Sequence, residues 1–133
     1  MSDVSIAVHR LLVSQLTDTS DASVYAAIVR GARRRNVARG ITGALVFDGE
    51  RFCQLVEGSE DAISLLFPRI ASDGRHGRLD VLASGVGPRH FSEWHSGYCN
   101  HDDLDVFVGP QAMSGHAALA HFLALVQRCD LSP

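Results

Sequence analysis

The run RFCQLVEG, in which Arg51 to Val56 reads as a strand, constrains the fold of this chain more than any other stretch. Strand alternation puts Phe52, Gln54 and Val56 on one face and Cys53, Leu55 and Glu57 on the other. Both faces are then largely apolar, so this strand belongs inside a sheet that is covered on both sides. Its partner is close at hand, because Ile41 to Phe47 reads as a strand joined to it through Asp48-Gly49, a strong hairpin signal. The exception in the pattern is Gln54, a buried amide that must find polar partners.

The elements around this hairpin follow from changes of period. Val4 to Ser14 is rich in β-branched and aliphatic residues and reads as a first strand. In TSDASVYAAIVRGARRRN, Ser20 or Asp21 offers an N-cap, and Val24, Ala27, Ile28 and Gly31 form one helical stripe. After the hairpin, Gly58-Ser59 opens a second helix carrying Ile63, Leu66 and Ile70, with Pro68 predicting a kink or an early end. Two strands follow, Leu79 to Ala83 and Trp94 to Cys99, separated by a loop around Pro88. The order βαββαββ predicts an α+β, ferredoxin-like sheet with two helices on one face. The segment GHAALAHFLALVQRC supplies the cover for the other face through Ala118, Phe122, Leu125 and Val126. The expected organisation is a core over residues 1–100 and a C-terminal helical cap over 101–133 on the same domain, with no effector domain attached.

Composition excludes several classes. A chain of 133 residues with 46% hydrophobic and 20% charged residues is sized and filled for one globular core. The formal net charge of −3 argues against nucleic acid as a partner. All twelve basic residues are arginine, and Arg33-Arg34-Arg35 reads as a solvated helix end rather than a phosphate patch. Cys53, Cys99 and Cys129 are odd in number and form no CxxC pair, so neither a disulfide framework nor a metal site is expected. With no signal-like or membrane-spanning run, the expected setting is cytoplasmic, away from membranes, with reduced thiols.

Asn36 ends the first helix and projects over the side of the sheet that carries Gln54, if that side bears the helices. Two amides present donors and acceptors in fixed directions, as the edge of a flat heterocycle requires. The stretches RRRNVARGITGALVFDGERFCQLVEG, IASDGRHGRLDVL and RHFSEWHSG resemble the successive signatures of the BLUF domain, the flavin-using blue-light sensor, from about His9 to Tyr98. The resemblance implies a ferredoxin-like fold with the isoalloxazine ring between the two helices. It assigns Asn36 and Gln54 to the ring's polar edge, Ile28 to the ring face, and Arg75 and His76 to the region of the pyrimidine carbonyls. Arg35 falls beside the ring, and Trp94 matches a tryptophan of the last strand. It also implies FAD as the cofactor, with FMN or no flavin as alternatives, since no dinucleotide fingerprint reads the adenine end. A sensor rather than an enzyme is expected, acting as a homo-oligomer and through a separate protein partner. Each residue has a bland alternative: a helix C-cap for Asn36, backbone satisfaction for Gln54, a solvated turn for Arg75 and His76, and core packing for Ile28 and Trp94.

The chain departs from the family at two places. BLUF photochemistry depends on a first-strand tyrosine two residues before a serine, and HRLLVSQ puts Leu12 there, or Val13 in the alternative register. Neither side chain donates an electron or a proton. The family's methionine two residues after the tryptophan is replaced by Ser96. The implied function is a flavin-binding signalling protein with lost or altered photochemistry, for which Trp94 or Tyr25 are the substitute donors. Cys53 faces away from Gln54, which disfavours a cysteine–flavin adduct. Two rivals stand beside this reading. One is a cofactor-free BLUF-derived interaction module; the other is an acylphosphatase-like hydrolase, disfavoured because no glycine-rich phosphate loop follows the first strand.

Overall fold

The computed structural model describes residues 6–17 and 22–133, together with all their side chains except those of Ala22 and His76. The elements are β1 (Ile6–Leu16), α1 (Ala22–Ala38), β2 (Thr42–Phe47), β3 (Arg51–Gly58), α2 (Glu60–Ser72), β4 (His76–Pro88) and β5 (Trp94–Tyr98). A 3₁₀ segment (His101–Phe107), α3 (Gly115–Val126) and β6 (Asp130–Ser132) complete the described chain. The N-cap expected at Ser20 or Asp21 and the strand start at Val4 lie outside the described residues.

The strands form one sheet in the order β4-β1-β3-β2-β5-β6. The first four are antiparallel in the ferredoxin-like order, and β5 joins parallel to β2. Central β3 lies between β1 and β2, and Phe52, Cys53, Leu55 and Val56 are each at most 1% exposed. Its alternation separates two apolar clusters. Leu12, Ile28, Leu45, Phe52, Val56, Ile63 and Trp94 belong to the layer beneath α1 and α2. Leu11, Val13, Val46, Cys53 and Leu55 belong to the layer beneath α3, where Phe122, Leu104 and Phe107 join them.

Local chemistry explains most of the boundaries. Gly49, at φ 106, takes the turn of the hairpin, and Asp48 accepts from the backbone N–H groups of Glu50 (2.9 Å) and Arg51 (2.7 Å). Gly43, at φ 143, lets β2 approach β3 so closely that an added Cβ would lie 1.9 Å from the Leu55 carbonyl oxygen. Ser59 caps α2 by accepting from the Ala62 N–H at 3.1 Å.

Two expectations of element extent are corrected. Helix α2 does not end early at Pro68 but runs on to Ser72. Pro68 and Ser64, the residue whose carbonyl loses its donor, both lie on the exposed face, where water takes the missing bond. Strand β4 is much longer than Leu79 to Ala83: its glycine-rich tail keeps pairing with β1 as far as Pro88 opposite Ile6. Pro88 is tolerated because β4 is an edge strand. Short β6, which pairs with β5, and the 3₁₀ segment had no counterpart in the sequence pattern.

Glu57, 1% exposed, fastens the end of β3. Its carboxylate accepts from Thr42 Oγ1 (3.1 Å) and the backbone N–H groups of His90 (2.6 Å) and Phe91 (3.1 Å), with His90 Nδ1 at 2.8 Å. Glu57→Ala strands these donors in a buried place and is expected to cost on the order of 2–4 kcal/mol of unfolding free energy. Glu57→Gln, which keeps one acceptor oxygen, should lose less; paired urea unfolding curves read the difference.

Candidate functional site

Between α1 and α2 the sheet forms the floor of a narrow cleft. Leu45 and Gln54 line it from the sheet, Ile28, Gly31, Ala32 and Arg35 from α1, Arg69 and Ile70 from α2, and Asp73 and Arg75 from the turn after α2. Helix periodicity explains the α1 contribution. Ile28, Ala32 and Asn36 recur every four residues and are 4%, 6% and 1% exposed, so one stripe faces the sheet.

Gln54 is 4% exposed, and its partners in register are Leu12 on β1 and Leu45 on β2. Neither neighbour offers a polar side chain at that level, so the amide is directed to the cleft. Leu12, 2% exposed, shares the helix-side layer with Gln54, whereas Val13 packs in the opposite layer. Position 12, not 13, therefore stands beside the glutamine.

Among the described residues, the buried polar atoms Asn36 Oδ1, Arg35 Nε and Trp94 Nε1 lack a hydrogen-bond partner. Asn36 is informative, because the capping work falls to its backbone. Its carbonyl accepts from the N–H groups of Arg39 (3.1 Å) and Ile41 (2.9 Å), while the side-chain oxygen stays unsatisfied. Trp94 is 3% exposed and packs in the same layer, and Ser96, half-buried, is beside Leu45 in the parallel β2–β5 pairing.

Electrostatics sets the rim. The Arg35 guanidinium is pulled down by burial and by the cations Arg69, Arg39 and Arg75, against the opposing effect of Asp73. The run Arg33-Arg34-Arg35 is thus split, with the first two exposed and Arg35 turned into the cleft. Arg75 is held by Asp73 in a fork, Nε to Oδ1 at 2.9 Å and the terminal nitrogen to Oδ2 at 2.7 Å. This pair stabilises Arg75 as a cation.

The cleft brings together Ile28, Arg35, Gln54 and Arg75 of the sequence-predicted residues. Asn36 and Trp94 are buried in the same layer without lining it, and the side chain of His76 lies outside the described residues. Sequence reasoning missed Arg69, Asp73 and Ile70 as lining residues, which reach the cleft through the last turn of α2 and the turn beyond it. A basic residue in the last turn of a helix, as Arg69 is, was the available signal. Tyr25 stands apart, stacked on Phe47 at 4.4 Å and tilted against Tyr98 at 4.9 Å. Burial and its hydrogen bond with Tyr98 push its phenol upward. Among the described residues, no cluster of His, Cys, Asp and Glu suits a metal ion, and no helix is long and apolar enough to cross a membrane.

The site is thus a cleft between two helices of a ferredoxin-like sheet, with the Gln54 amide on its floor and arginines at its rim. A family model described as sensors of blue-light using FAD matches residues 8–97. The chain belongs to this BLUF family. It is 34% identical over 86 residues to the photoactivated adenylate cyclase subunit alpha of Euglena gracilis, covering 64% of this chain and 8% of that protein. It is 32% identical over 75 residues to the blue light- and temperature-regulated antirepressor BluF of Escherichia coli (strain K12), covering 56% of this chain and 19% of that one. The chain thus spans less than a fifth of the length of these relatives. The dark-state structure of the BLUF protein BlrB superposes with TM-score 0.67 at 25% identity, over 93% of this chain and 98% of that one. The photo-activated state of BlsA superposes with TM-score 0.77 over 96% of this chain and 99% of that one; at 21% identity it speaks for the fold alone.

Proposed function

We propose that this domain binds an oxidised flavin between α1 and α2 but runs an altered or silent light response, because Leu12 stands beside Gln54 where the family's photochemistry calls for a phenol. The observation that carries the binding half is the buried, unsatisfied Asn36 Oδ1 above a sheet whose central amide, Gln54, faces the cleft. Asn36 and Gln54 supply acceptor and donor groups to the ring's pyrimidine edge, Ile28 packs on the ring face, and Trp94 closes the apolar end. Flavin supplies the light-absorbing, electron-accepting group when bound.

The cleft is narrow, about 30 Å³, so α1 and α2 must part to admit a ring system. Their main packing is against the sheet rather than each other, and Arg35 on α1 repels Arg69 on α2. Both features favour parting, and an anion that neutralises the rim would let the helices close over it. Arg35, Arg69 and Arg75 therefore suit the phosphate of FAD or FMN, with FAD the family's cofactor. Signalling runs through protein contacts, by self-association and a separate partner, with the α3 layer as the natural output surface because β3 carries Gln54 on one face and Leu55 on the other.

The test is absorption of purified protein after reconstitution with FAD, FMN and riboflavin. Asn36→Ala and Gln54→Ala should each weaken binding by on the order of 1–3 kcal/mol, roughly 5- to 150-fold in Kd. Unchanged affinity in both variants, or no uptake of any flavin by the unaltered chain, rejects the assignment, the latter in favour of a cofactor-free interaction module. Arg69→Ala should weaken FAD and FMN by about 1 kcal/mol, roughly fivefold, with little effect on riboflavin, which lacks the phosphate. Equal losses for all three ligands would remove the phosphate from the rim.

A further inference from the structure

Cys99 follows β5, and Cys129 precedes β6. The antiparallel pairing of these strands matches Ser96 with Ser132, Gly97 with Leu131 and Tyr98 with Asp130. One further step in that register sets Cys99 opposite Cys129. Opposed residues of antiparallel strands lie roughly 4.5–5.5 Å apart at Cα, within the roughly 4.4–6.8 Å that a disulfide spans. Both side chains pack against the α3-side layer, so they share a face, and both line one surface cavity of about 420 Å³ with Asn100, Asp103 and Arg128. Both are free thiols and half-buried, while Cys53 is fully enclosed in the core. A metal is not the better use of the pair, since no qualifying ligand cluster exists among the described residues.

We propose that Cys99 and Cys129 form a reversible intramolecular disulfide that fastens the C-terminal end of α3 to strand β5. With hydrogen peroxide as oxidant, one thiolate attacks a peroxide oxygen to give a sulfenic acid and release hydroxide. The second thiolate attacks that sulfur, the S–S bond forms and hydroxide leaves. The balance is two thiols and one peroxide giving one disulfide and two waters, each sulfur losing one electron. Burial and the neighbouring Cys129 push the Cys99 thiol up to about 12, and burial and Asp103 raise Cys129. Thiolate is therefore scarce at neutral pH, so the bond forms slowly and faster in alkali. The same basicity makes both sulfurs poor leaving groups, so the bond also breaks slowly. The pair behaves as a latch rather than a fast sensor. It encloses the 3₁₀ segment and α3 in one covalent loop, independently of any bound flavin.

The experiment treats the full chain with equimolar peroxide at pH 7 and 9 and follows intact mass and non-reducing tryptic peptides. Cleavage after Arg128 leaves Cys99 in peptide 90–128 and Cys129 in peptide 129–133, so the bond is read directly as their linkage. Expected are a mass loss of about 2 Da, the linked peptide, faster formation at pH 9, and a thermal midpoint higher by on the order of 10 °C that reverts on reduction. Cys129→Ser should abolish the linkage and the midpoint rise together. Oxygen adducts on either cysteine without linkage, a bond involving Cys53, or only intermolecular dimers would overturn the proposal.

Discussion

Flavin-loaded protein will show no long-lived red-shifted absorption after blue light, and Leu12→Tyr will bring one back. In the mechanism that the family resemblance implies, a first-strand phenol gives up an electron and a proton, and the glutamine beside it changes its hydrogen bonding to the ring. Leu12 stands at that place, opposite Gln54 in the β1–β3 register and in the same layer. A leucine has neither a dissociable proton nor an oxidisable ring, so the excited flavin returns by emission and its fluorescence should be strong. Tyrosine at position 12 enters an apolar layer in which its hydroxyl meets the Gln54 amide, the partner that such burial demands. Ser96, at the place where the resemblance expects a methionine, should leave the recovery incomplete. Time-resolved absorption and fluorescence of both proteins check the expectation. A full red shift in the unaltered protein would show that another donor acts, Trp94 in the same layer or Tyr25 beyond Phe47. Recovery with Val13→Tyr but not Leu12→Tyr would contradict the placement of position 13 in the α3 layer.

Removing the chain from Gly115 onward should abolish a soluble monomer. Helix α3 buries Ala118, Leu119, Phe122, Leu125 and Val126 on the sheet, and Phe122 and Ala118 are 0% exposed. Its loss uncovers Leu11, Val13, Val46 and Leu55 in one contiguous patch, the kind of surface that drives aggregation. Phe122→Ala is the milder probe, expected to cost about 3–5 kcal/mol because the ring leaves a cavity in a closed layer. Light scattering after size exclusion reads the truncation, and urea unfolding reads the point variant. A truncated chain that remains monomeric with an unchanged unfolding midpoint would show that α3 is an appendage rather than part of the core.

Local signals and tertiary ones were unequally legible. The hairpin from Thr42 to Gly58 could be read almost residue by residue, because Asp48-Gly49 and the two-sided apolar run of β3 are encoded within the segment itself. The same alternation put Gln54 and Cys53 on opposite faces, as the two layers show. The full extent of β4 was hidden because SGVGP looks like loop by composition, and only the presence of β1 as a partner makes it strand. Of the two outcomes expected at Pro68, a kink or an early end, the early end does not occur, because the local penalty is small when the orphaned carbonyl faces water. In the cleft, Ile28 followed from helix period and Arg35 only from the family resemblance, since its own run read as a solvated helix end; Leu45, Arg69 and Asp73 meet there only because segments distant in sequence converge. No spacing within one element announces such a meeting.

The buried carboxylate of Glu57 has a mechanical consequence. It joins β3, through Thr42 to β2 and through the amides of His90 and Phe91 to the lead into β5. Gln54 lies three residues before Glu57, and Trp94 three residues after Phe91, so both belong to segments gripped by one anion. Sliding any of these strands against its neighbours would tear bonds to a charge with no water to replace them, a cost that thermal motion rarely meets. The middle of the sheet is therefore a stiff plate with compliant borders, β4 with its bulges on one side and three-residue β6 on the other. Motion that begins at the cleft finds its easy path in the tilt of the helices and the flexing of those borders, not in slippage between β2, β3 and β5.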